Sequence, residues 1–122
     1  MRIRISDIIA HASKVYKVPV PEIKYGGRTK DLVEIRNACY VIAREMGHSY
    51  PQIGKVMGGY DHTTVLHGHR KALHFIERYP EYAANVEKLR VAVENHEPML
   101  RFNAVPDFTI YATKDTALPF QQ

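Results

Sequence analysis

The stretch Ser49-Tyr50-Pro51-Gln52-Ile53-Gly54-Lys55-Val56-Met57-Gly58-Gly59-Tyr60-Asp61-His62-Thr63-Thr64-Val65-Leu66-His67 decides how this chain folds. Ser49 and Gln52 stand three apart, the spacing of a capping box, and Pro51 falls in the first turn, where a proline costs no hydrogen bond. Ile53, Val56 and Met57 then recur at helical spacing and form a core face. Gly58-Gly59 supply the positive φ angles of a tight turn. Asp61 caps a second helix that runs to about Arg78, with Val65, His69, Ala72 and Ile76 on its inner side and Thr63, Leu66, His67, Arg70 and His74 on its outer side. Two capped helices across a glycine turn are the layout of a helix-turn-helix, whose second helix offers its N-terminal end to a DNA major groove.

Upstream, Ser6 is placed to cap a first helix of about ten residues through Lys17, with Ile8, Ile9, Ala12, Val15 and Tyr16 as its apolar contacts. Val18-Pro19-Val20-Pro21 stops it, since each proline disfavours helix at the residue before it. One turn over 22–25 and a basic loop, Gly26-Gly27-Arg28-Thr29-Lys30, follow. Asp31 starts a long helix to about Met46, with Leu32, Ile35, Cys39, Ile42 and Met46 as its core stripe and Arg36, Asn37, Tyr40 and Arg44 on another face. Gly47 ends it. Downstream, Tyr79-Pro80-Glu81 breaks the chain, and Tyr82, Val86, Leu89 and Val93 mark a last amphipathic helix ending near His96. Residues 97–122 hold three prolines and no helical period, as an extended tail or arm would. The expected architecture is all-α: one helical domain over 1–96 and a C-terminal tail over 97–122.

Composition narrows the function classes. With 122 residues and 45% hydrophobic content, the chain suits one globular domain. No apolar run approaches the roughly 20 residues that span a bilayer, and the N-terminus turns polar too early for a signal peptide. The single Cys39 excludes an intramolecular disulfide and suits a reducing cytosol. Net charge is +4 and the pI about 9.2. Residues 1–74 carry 12 Lys/Arg against 6 Asp/Glu, and residues 75–122 carry 5 against 7. The positive charge therefore accompanies the helix-turn-helix, as a polyanionic partner approached from one side requires; a basic solubility surface gives the same count.

At the tip of the second helix, Asp61, His62, Thr63 and Thr64 surround free backbone N–H groups that suit phosphate. His and Asp hydrogen-bond base edges, and a threonine methyl or Leu66 packs on a thymine methyl. Arg28, on its glycine-rich loop, suits a narrow minor groove. Arg36, Arg44 and Lys71 suit phosphates, which give affinity and register without sequence information. Plainer roles remain open: Asp61 and the threonines as caps alone, Arg36 and Arg44 as a solvated face, Leu66 as core, and Gly68 as a point of close helix approach. His62, His67, His69 and His74 crowd one helix, but none of them stand four apart and no cysteine or carboxylate pair completes a zinc set. The sequence has no P-loop, no G-x-S-x-G elbow and no partner for a Cys39 nucleophile. Neither a metal, a cofactor, a small-molecule substrate nor an enzymatic activity is expected.

From Gly58-Gly59-Tyr60-Asp61-His62-Thr63-Thr64-Val65-Leu66-His67 and Arg70-Lys71, the chain resembles the C-terminal DNA-binding domain (domain IV) of the bacterial initiator family DnaA. The similarity runs back through Ser49-Tyr-Pro-Gln-Ile-Gly, Ala43-Arg-Glu-Met and Arg36-Asn37 to Ile5-Ser-Asp-Ile-Ile and Val15-Tyr-Lys-Val. It covers about residues 3 to 78, and more loosely to 96. The resemblance implies a Trp-repressor-like helical domain that binds double-stranded DNA at DnaA-box-like sites. It implies base contacts from Asp61, His62, Thr63, Pro51 and Leu66, and a minor-groove contact from Arg28. It implies backbone contacts from Lys30, Arg36, Asn37, Thr64 and Lys71, with Arg44 at a position that is also basic in the family. Four positions depart from the family pattern. Tyr60 replaces the usual arginine, so one contact to the DNA backbone is either lost or replaced by a phenol hydroxyl. Gly26 and Gly27 thin the basic loop. Asn37 stands where glutamine is usual.

The resulting expectation is a stand-alone DNA-binding protein without the family's ATPase module. It would act on the nucleoid in the cytoplasm and regulate replication or transcription by occupying sites. The competing expectation keeps the fold as a protein-interaction module for a replication or regulatory partner. In either, the apolar residues of the tail can pack on their own chain or form a swapped arm in a homodimer.

Overall fold

A computed structural model describes residues 3–96 as six helices. They are α1 (Ile5–Tyr16), α2 (Val20–Tyr25), α3 (Lys30–Glu45), α4 (Tyr50–Met57), α5 (His62–Arg78) and α6 (Pro80–Glu94). The described residues contain no strand and no helix long and apolar enough to cross a membrane. The tail expected over 97–122, and any dimer it would form, lie outside them.

α3 is the axis of the fold. It touches all five other helices, and every residue from Ile35 to Ala43 is buried. This corrects the expectation of a separate polar face: Arg36, Asn37 and Tyr40 are each under a tenth exposed. A helical period reveals one apolar stripe, but a helix enclosed by neighbours must bury its polar side as well. Arg44, one turn further on, is exposed.

α1 begins at Ile5 with Arg4 at the N-cap, so Ser6 is not its cap. The core sets this start. Ile5, Ile8, Ile9 and Ala12 share one face and are all buried, and that face is complete only if Ile5 is helical. α1 closes at Lys17, whose φ of 60° is left-handed. α2 starts at Val20, two residues earlier than expected, with Pro21 tolerated in its first turn.

The helix-turn-helix forms where its sequence signals lie. The Ser49 side chain accepts the Gln52 N–H at 3.3 Å, and the Ser49 N–H donates to Gln52 Oε1 at 3.4 Å. Gly58 and Gly59 have φ of 140° and 88°. The turn they make sends the N–H groups of Gly59 and Tyr60 onto the Gly54 carbonyl at 2.9 and 2.8 Å. Ile53, Met57 and Val65 are wholly buried and anchor both helices in the core. α6 lies across α1 and α5, burying Val86, Leu89 and Val93. The Tyr82 hydroxyl donates to the Glu34 carbonyl at 2.9 Å, and Arg90 bridges Glu45 and Glu87.

Candidate nucleic-acid interface

The N-terminal turn of α5 stands out from the core. Asp61, His62, Thr63 and Thr64 are all exposed, Val65 behind them is fully buried, and Leu66 is half-buried. One side of the turn is therefore fixed by packing while four polar side chains face solvent. Asp61 caps α5 by accepting the Thr63 N–H at 3.4 Å, and its carboxylate lies 3.2 Å from His62 Nδ1. The capping role and the exposed placement coexist. Pro51, in the first turn of α4, is exposed as well.

The sequence around this turn is predominantly basic. From residue 46 to residue 76 the only carboxylate in the sequence is Asp61, against Lys55, Arg70 and Lys71, all three exposed. Arg28 and Lys30 are exposed at the α2–α3 loop and the start of α3. Lys71 lies with its Nζ 5.8 Å from the Phe75 ring centroid. Arg44 stacks its guanidinium 4.5 Å from the Tyr50 ring centroid and donates from Nη1 to the His48 carbonyl at 2.9 Å.

Arg36, Asn37 and Tyr60 are placed differently from the others. Arg36 is 4% exposed, and its Nε donates to the Ile23 carbonyl at 2.6 Å. Its Nη2 is buried without a hydrogen-bond partner among the described residues. Asn37 is buried against α5, where its Oδ1 faces Gly68. The Tyr60 hydroxyl donates its one proton to the Lys24 carbonyl at 3.3 Å. This corrects the expectation of a phenol offered to phosphate, because phosphate oxygens only accept. The solvated-face reading of Arg36 is corrected likewise.

A polar contact between the two helices of the motif is one that sequence reasoning missed. Tyr50 Oη and His69 Nδ1 are 3.0 Å apart, joining α4 to α5. Burial and the nearby Arg44 and Arg70 charges lower the His69 pKa below its usual 6.5 despite the opposing pull of Glu45, which favours the neutral ring, and the tautomer of that ring sets which partner donates. Two polar aromatic residues on facing helices are the only hint the sequence offered.

Elsewhere the surface has another character. A cleft of about 570 Å³ between α1, α3, α5 and α6 is walled by Tyr16, Phe75, Tyr79 and Tyr82 and lined also by Lys30 at its edge and by three carboxylates, Asp31, Glu34 and Glu81. Those carboxylates repel a polyanion, and Phe75 is 13 residues along α5 from His62, about 20 Å at 1.5 Å per residue. Cys39 is fully buried, which pushes its thiol up to about 12; it is protonated and inaccessible, the opposite of an activated nucleophile. Among the described residues no three His, Cys, Asp or Glu side chains converge as a metal site requires.

Residues 5–72 match the family described as the bacterial DnaA protein helix-turn-helix. The chain is 42% identical over 93 residues to the chromosomal replication initiator protein DnaA of Streptococcus equi subsp. zooepidemicus (strain MGCS10565), covering 75% of this chain and 19% of that protein. It is 39% identical over 89 residues to the protein of the same name from Streptococcus pyogenes serotype M1, covering 72% and 20%. The chain thus spans about a fifth of the length of these relatives.

Proposed function

The chain belongs to the bacterial DnaA helix-turn-helix family, and from that premise we propose that it binds double-stranded DNA sequence-specifically at DnaA-box-like sites. The observation that carries this reading is the exposed Asp61–Thr64 turn, held from behind by the buried Val65. Asp61, His62 and Thr63 read base edges in the major groove, with Pro51 and Leu66 in apolar contact beside them. Arg28 enters the adjacent minor groove, where the potential is most negative. Lys30, Arg44, Thr64 and Lys71 hold the phosphate backbone and set register. Asn37 and Arg36 support the interface from inside: Asn37 lies against Gly68 of α5, and Arg36 holds α2.

By occupying such sites in the cytoplasm the protein regulates replication or transcription at the loci that carry them. A gel-shift titration at fixed salt, with a box-containing duplex and a scrambled duplex of the same composition, tests the reading. The expected result is at least about a thousandfold preference, the lower end for specific readers. Equal affinity for both duplexes would remove sequence-specific recognition and leave the protein-interaction module as the better account.

A further inference from the structure

The last turn of α2 has carbonyls that no helical N–H can reach. Two of them are taken from outside the helix. Arg36 of α3 donates to Ile23 O at 2.6 Å, and Tyr60 of the α4–α5 turn donates to Lys24 O at 3.3 Å. The Arg36 guanidinium carbon lies 5.6 Å from the Tyr60 ring centroid, within range for a cation facing the negative face of an aromatic ring. The fit is close: a Cβ at Gly58 would stand 2.6 Å from Lys24 O. So α2, α3 and the turn meet at a single point, and Tyr60 is the side chain that closes it.

The two ends of that contact matter. Tyr60 is bonded to Asp61, the cap of α5. Lys24 is four residues before Arg28, so the two Cα atoms are at most about 15 Å apart along the chain. An arginine at position 60 would set a second cation beside the buried Arg36 charge in place of a ring that attracts it. The tyrosine ring attracts that charge, and its hydroxyl completes the tie.

We propose that Tyr60 is a positioning residue that locks the Arg28 loop to the Asp61–Leu66 tip, so that both reach DNA at one fixed separation. The functional half of this proposal rests on the DNA-binding reading above, while its structural half does not.

The experiment uses Tyr60→Phe in the full chain, which keeps the ring under Arg36 and removes only the hydroxyl. Spin labels are placed on Arg28→Cys and His67→Cys, both exposed positions; Cys39 is fully buried and takes no label. Without DNA, the distance distribution between the labels is expected to broaden in the Tyr60→Phe background. On the box duplex, Arg28→Ala is expected to weaken the otherwise unaltered protein by about tenfold or more, as loss of a specific base contact does. The same change in Tyr60→Phe should cost no more than about threefold, because an unlocked loop already contributes less, whereas His62→Ala should cost the same in both backgrounds. An unchanged distance distribution, or an equal cost of Arg28→Ala in the two backgrounds, overturns the proposal. If the unaltered protein does not tell the box from the scrambled duplex, the DNA reading fails, and the spin-label comparison still decides whether Tyr60 locks the loop.

Discussion

Gly68 of α5 lies so near Tyr40 of α3 that a Cβ at position 68 would stand 2.7 Å from the tyrosine ring and 2.4 Å from Asn37 Oδ1. The recognition helix crosses the central helix at this point with no room for a methyl group. Asn37 and Tyr40 are both buried, so neither can swing into solvent to make room.

Gly68→Ala is therefore expected to destabilise the domain. Alanine in place of glycine favours a helix by up to ~1 kcal/mol, while overpacking a tight contact costs about 1–3 kcal/mol. The forced separation of α3 and α5 makes the second effect the larger here. Urea unfolding followed by circular dichroism should show a lower midpoint with an unchanged slope; a midpoint at or above that of the unaltered protein would mean the helices move apart freely.

Arg36→Ala is expected to act on folding before it acts on binding. It removes a hydrogen bond from a charged donor to Ile23 O and leaves a void beside Tyr60. Loss of such a bond costs about 1.5–3 kcal/mol. Arg36→Lys should recover little, because an ammonium lacks the planar group that meets both the carbonyl and the ring. Thermal melts of the two variants provide the check; a melt unchanged by Arg36→Ala would return Arg36 to the role of a plain phosphate contact.

Exposed residues should divide by role. His62→Ala or Thr63→Ala is expected to cost about 1–3 kcal/mol on the preferred duplex and little on random DNA. Lys71→Ala should weaken both and lower the slope of log affinity against log salt by about one unit. Titrations of each variant on both duplexes at several salt concentrations distinguish the two patterns, and identical behaviour of His62→Ala and Lys71→Ala would void the assignment.

Acid should loosen the fold through two histidines. Burial lowers the pKa of His11, helped by the His96 and Lys14 charges against Asp7, and burial lowers that of His69. The unfolded chain therefore takes up these protons first. The stability from keeping both rings neutral is full above their unfolded value of 6.5 and is lost as pH falls from there through the lowered folded values. Midpoints of urea unfolding should fall as pH drops below about 6.5, by a small amount because both rings keep part of their surface in water. Replacing both histidines with glutamine should flatten that dependence; an unaltered profile would assign it to other groups.

The elements carried by local chemistry were legible in the chain itself. The Ser49–Gln52 box, the Gly58-Gly59 turn and the Asp61 cap each involve residues within three positions of one another, and each forms as read. Errors arose where distant packing decides. Ser6 is a good cap by type, yet the core claims Ile5 and moves the start of α1. Arg36 and Asn37 look like surface residues until α2 and α5 close over them. The direction of the Tyr60 hydroxyl depends on a carbonyl 36 residues away, which no window of sequence contains. The exposed placement of Asp61, His62, Thr63 and Thr64 was readable because side chains facing water have few partners to redirect them.

The burial pattern of α5 separates two kinds of change. Asp61 to Thr64 are all exposed, while the buried Val65 and the tied Tyr60 hold the turn from either end. Substitutions at positions 62 and 63 can accumulate without loss of folding, so new preferences are accessible by single steps there. The axial helix permits no such drift: inserting one residue would rotate everything beyond it by about 100° and misalign its contacts with several neighbours at once. Packing alone therefore leaves the tip of α5 free to vary, and only contacts outside the chain would hold its residues in place, whereas the fold itself holds the axial helix.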